Sequence, residues 1–99
     1  MALTDASPTA WDCSKGNYFT WTPGASETIN ATNVQTGADY DLVIKTSGAS
    51  SFTITFGTNI KSVTLGTPAT LATGTTTNKY FFIKYKGTPD GLVEVSRTS

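Results

Sequence analysis

"TNKYFFIKYKG", residues 77–87, is the most apolar run in a chain rich in Thr, Ser, Gly and Asn. Side chains along a β-strand alternate sides, so Phe81, Ile83 and Tyr85 point one way and Tyr80 and Phe82 the other. A strand buried on one face should be polar on its second face. This run is not, and Tyr80 and Phe82 need a cover. Together the two rings make an apolar patch of roughly 300–400 Å², near the upper range for a soluble monomer. Either a second sheet or the N-terminal arm lies over them, or a partner subunit does.

Other segments share the period of two. "NYFTWTP" (17–23) places Phe19 and Trp21 inward and Tyr18, Thr20 and Thr22 outward, and Pro23-Gly24 ends it as a turn. "ETINAT" (27–32) makes a short strand burying Ile29 and Ala31. In "ADYDLVIK" (38–45), Tyr40, Leu42 and Ile44 form a core face against Asp41, Val43 and Lys45. "TSGASS" (46–51) then breaks the pattern, and Phe52, Ile54 and Phe56 resume it, which reads as a β-hairpin. "IKSVTL" (60–65) and "ATLAT" (69–73) suit edge strands. After "GTPDG" (87–91), "LVEVSR" (92–97) is the final strand, with Val93 and Val95 inward.

The chain has 99 residues, enough for one domain with one modest core, and twenty of them are Thr. β-branched Thr suits a pleated, half-wet surface. The expected fold is all-β, a small antiparallel β-sandwich or jelly-roll-like barrel of about eight strands. Residues 9–99 form its single domain, and residues 1–8 an N-terminal arm without a core role.

Seven basic and seven acidic side chains balance and nowhere cluster, so no basic stripe for nucleic acid exists. No apolar run reaches the ~20 residues that cross a bilayer. "MALTDASPTAWD" (1–12) has no basic start and no apolar stretch of the secretory kind, so the expected place of synthesis and use is the cytoplasm. The chain has no histidine and one cysteine, Cys13, which reads as a small buried residue. The commonest general base and metal ligand is thereby absent, and no cofactor, metal or catalytic residue is expected. Asp39 and Asp41 share a strand face but lack the oxygen-rich loop that a hard cation wants, so a solvated face is the better reading. Trp11, Trp21, Tyr18 and Tyr40 could in principle stack sugars, but Phe19 and Trp21 share the core face.

The order of "DCSKGNYFTWT", Gly37 before "YDLVIK", "TSGASSFTITFGTNIK" and "TNKYFFIKYKGTPDGLVEVSR" resembles short bacteriophage virion structural proteins, the head decoration, head-fibre and tail-fibre modules. The likeness runs from about Ala2 to Arg97. It implies a non-enzymatic subunit that assembles in the host cytoplasm and resides in the virion. The implied partners are further copies of itself, with a trimer favoured, and the major capsid protein or other virion proteins; no nucleic acid or membrane is implied. On that reading Tyr80 and Phe82 belong to the oligomer interface, and the arm residues Met1, Ala2, Leu3, Thr4 and Asp5 tether the subunit to the capsid. The alternative is a tail-fibre or adhesin-type module that binds host carbohydrate.

Overall fold

The computed structural model describes residues 1–6, 8–48, 50–61 and 70–98. Strand β8 (Tyr80–Thr88) shows the expected alternation, with Phe81, Ile83, Tyr85 and Gly87 buried and Tyr80, Phe82, Lys84 and Lys86 exposed. It pairs antiparallel with β4 (Asp39–Lys45), setting Lys45 against Tyr80, Val43 against Phe82, Asp41 against Lys84 and Asp39 against Lys86. Strand β2 (Tyr18–Trp21) runs parallel to β4 on the outer side. Beyond β8 come β9 (Gly91–Thr98), antiparallel, and then β6 (Ile60–Lys61), parallel to β9. The order of this five-stranded sheet is β2-β4-β8-β9-β6.

A four-stranded sheet carries β1 (Thr9–Asp12), β3 (Glu27–Thr32), β5 (Thr53–Phe56) and β7 (Thr70–Ala72) in that order. Strands β1, β3 and β5 are mutually parallel neighbours, and β7 is antiparallel to β5. Among the described residues, β1 to β7 therefore alternate between the two sheets along the chain. Parallel neighbours need a crossover, and here the intervening strand of the other sheet supplies it. The protein is all-β with two mixed sheets. It is not purely antiparallel and not a closed, jelly-roll-like barrel.

That topology corrects the hairpin expected over residues 39–56. β4 lies in the five-stranded sheet and β5 in the four-stranded one, so "TSGASS" connects sheets rather than paired strands. The alternation in both segments is real, because both bury one face in the same core. A period of two specifies a buried face and is silent about the neighbour. The edge strands expected near 60–65 and 69–73 occur as β6 and β7, each at a sheet edge; residues 62–69 lie outside the described residues.

Trp11 joins the sheets. Its ring, fully buried on β1, meets Phe19 of β2 edge-on at 5.6 Å and Tyr85 of β8 at 5.4 Å. Around these lie Trp21, Ile29, Leu42, Ile44, Ile54 and Phe56. Entry to β4 depends on two glycines. Gly37 adopts a φ of +87°, which glycine tolerates best. Its N–H donates to the Gly87 carbonyl at 2.9 Å, and a Cβ on Gly87 would collide with the Gln35 carbonyl oxygen.

Two further expectations change. In β9 the fully buried side chain is Leu92; Val93 is half-buried and Val95 is exposed. Lys84 pairs with Ser96 but Tyr85 with Glu94, so Val95 is the extra residue of a β-bulge, which re-aims side chains. The N-terminal segment also has a packing role. The Leu3 N–H donates to the Thr20 carbonyl at 2.8 Å and the Thr20 N–H to the Met1 carbonyl at 2.9 Å, while Leu3 packs partly buried against the core. An open strand edge offers unpaired N–H and C=O groups, and here the segment covers that of β2.

Candidate functional site: the outer face of the five-stranded sheet

Every strand of the five-stranded sheet turns one face to the core, and no other described element packs on the opposite face. Register places on that outer face Tyr18 and Thr20 from β2, and Asp39, Asp41, Val43 and Lys45 from β4. From β8 come Tyr80, Phe82, Lys84 and Lys86, and from β9 Ser96, Thr98 and the bulged Val95. The Tyr80 and Phe82 rings stack with centroids 6.1 Å apart and planes at 20°. They remain 44% and 50% exposed. The four-stranded sheet packs on the opposite side, and the N-terminal segment runs along the β2 edge, so neither covers them. Tyr18 and Val95 are also largely exposed, which puts four of the large exposed hydrophobic side chains on one face.

Two ion pairs flank this patch. Lys84 Nζ donates to Asp41 Oδ1 and Lys86 Nζ to Asp39 Oδ1, each at 3.1 Å. Both pairs are solvated, so each contributes about 0–1 kcal/mol within the chain. Asp39 and Asp41 thus belong to a charged, solvated strand face. Lys45 Nζ lies 6.0 Å from the Tyr80 ring. The face carries an acidic row on β4, a basic row on β8 and an apolar strip beside them.

Two polar groups away from this face have shifted acidities. Asp12 caps the short 3₁₀ turn Cys13–Lys15; bonds from Asn33 and Ser14 hold its carboxyl down at about 2. Burial, and then the charge of Asp12, pushes the Cys13 thiol up to about 11, the opposite of an activated nucleophile. No group of three or more potential metal ligands occurs among the described residues. Trp11, Trp21 and Tyr40 are buried, so of the four aromatics considered for sugar stacking only Tyr18 reaches the surface. Cys13→Ala is expected to cost no more than ~1–2 kcal/mol. Chelator and reductant should leave the melting temperature of the wild-type chain unchanged in differential scanning calorimetry; a large chelator effect would reveal a metal site.

Tyr80 and Phe82 stand where the alternation of 77–87 places them. Tyr18 was legible as outward, but its sharing a face with Phe82 depends on the strand order. Val95 depends on the bulge and has no sequence signal. Asp5 and Glu27 form a carboxyl pair that sequence reading missed, 22 positions apart. Asp5 accepts from Trp21 Nε1 and from the Gly24 N–H, each at 3.0 Å, and so fastens the N-terminal segment to the end of β2. No protein-family model, curated protein or solved structure matches this chain at a significant level.

Proposed function

We propose that the protein is a non-enzymatic virion structural subunit, a head decoration protein in the first instance, that works as a homo-oligomer. The observation that carries this reading is the open face bearing Tyr18, Tyr80, Phe82 and Val95 on a small, Thr-rich two-sheet domain. An apolar face of this kind marks an interaction surface. The rest of the reading comes from the resemblance to phage structural modules. A ligand that binds the intact shell better than its loose subunits must stabilise that shell. Met1, Ala2 and Thr4 remain exposed along the β2 edge, so a capsid contact through this segment can form with the segment in place.

Light scattering on the purified chain should give a mass well above 10.4 kDa. Tyr80→Ser combined with Phe82→Ser should lower it to the monomer value while preserving β-type circular dichroism. Heads stripped of the protein should take it back to a fixed stoichiometry and then survive higher temperature. Heads that refuse the protein, alongside binding on a glycan array, would replace this reading with a carbohydrate-binding fibre module, for which Tyr18 and Tyr80 are the available stacking rings.

A further inference from the structure

We propose that the outer face of the five-stranded sheet pairs with the same face of a second copy, about a two-fold axis parallel to the strands and midway between β4 and β8. The inference rests on the reading of that face as a self-association surface, and it specifies the partner and the register. Rotation by half a turn about such an axis keeps each residue at its own height along the strands. It also carries β4 over the β8 of the other copy and β2 over its β9.

The register makes that superposition complementary at every level. Asp41 and Lys84 lie at one height, so each Asp41 comes to face Lys84 of the second copy. Asp39 and Lys86 match in the same way one step further along. Val43 faces Phe82 at the next level, and Lys45 faces Tyr80, a cation against an aromatic ring. Tyr18 shares its height with Asp41, while Lys84 pairs with Ser96, next to the bulged Val95. Tyr18 of one copy therefore meets Val95 of the other. The four exposed apolar side chains of the face are covered by one operation, and both charge rows meet their opposites. A contact of this kind is isologous, as two-fold interfaces must be. Two identical twisted sheets stacked this way also give the aligned packing that sheets prefer. The product is a dimer, whereas the resemblance to phage proteins implies a trimer.

Full-length chains carrying Asp41→Lys alone or Lys84→Asp alone test this by sedimentation equilibrium. Each is expected to lose self-association by about tenfold or more, because like charges then meet across the axis. An equimolar mixture of the two should form a heterodimer, since every crossed pair is again opposite in sign although each chain keeps its internal repulsion. In a Cys13→Ala background, a chain with Tyr18→Cys and Val95→Cys should form a disulfide-linked dimer under oxidation, and the two chains carrying only one of these substitutions should not. Circular dichroism on every variant confirms that the fold is retained. A wild-type dimer without the mixed heterodimer or the cross-link overturns the two-fold register and leaves the self-association reading standing. A wild-type chain that stays monomeric at high concentration overturns both.

Discussion

Trp11→Ala will remove about 3–5 kcal/mol of folding free energy, the usual cost of truncating a large buried aromatic residue. A small domain has only about 5–15 kcal/mol in total, so the variant should be at the edge of unfolding near room temperature. The indole is fully buried and touches both Phe19 and Tyr85 edge-on, so its loss opens a cavity across the joint between the sheets. Its Nε1 has no hydrogen-bond partner among the described residues. Trp11→Phe forfeits only part of the volume and also removes that unpaired donor, so it should cost far less. Urea denaturation followed by fluorescence and circular dichroism gives both numbers. A loss below about 1 kcal/mol for Trp11→Ala would mean that the two sheets do not pack through this residue.

The second large effect is a fall in stability between pH 5 and pH 8. Burial, the hydrogen bond to Asp5 and the charge of Asp5 together push the Glu27 carboxyl up to about 7, against an ordinary value of 4.5. The folded chain thus keeps a proton that the unfolded chain has released, and stability declines as pH rises from about 4.5 through about 7 and then levels off. Asp5 has the opposite sign. Burial alone would raise it, but hydrogen bonds from Glu27, Trp21 and Gly24 outweigh that and hold it below 3.8, so its contribution is lost only in stronger acid. Glu27→Gln should flatten the melting temperature between pH 5 and pH 8. Above pH 7 two adjacent carboxylates repel, and hydrogen exchange at the Leu3 amide should quicken as the segment on the β2 edge loosens. A melting temperature that is flat or rises over this range in the wild type would show that Glu27 is ionised throughout.

These two effects differ in how far they could be anticipated. Trp11 lies in β1, a strand that the period of two did not mark, and its burial joins it to Phe19 and Trp21, the core aromatics that alternation did mark. The Asp5–Glu27 pair had no local signal, because it exists only where the N-terminal segment returns along β2 and meets the start of β3. The contacts of the N-terminal segment had no local signal for the same reason. "MALTDASP" has no periodic pattern of its own, and the acceptors and donors that hold Met1, Leu3 and Asp5 belong to Tyr18, Thr20, Trp21 and Gly24.

By itself the sequence determined that the chain is all-β, which side chains of residues 18–21, 40–44, 52–56 and 80–85 enter the core, and that Tyr80 and Phe82 point away from it. Those are consequences of one local rule, the period-two alternation of side chains, which needs no knowledge of neighbours. Only the tertiary structure decided that β4 and β5 part company into different sheets, that parallel and antiparallel neighbours mix, and that the bulge in β9 turns Val95 outward. It alone also assembled Tyr18, Asp41, Val43, Phe82 and Lys84 into one face. Strand pairing is settled by how two apolar faces of matching area close over a shared core, with the edge N–H and C=O groups satisfied. That is a property of the whole chain, and no single strand carries it.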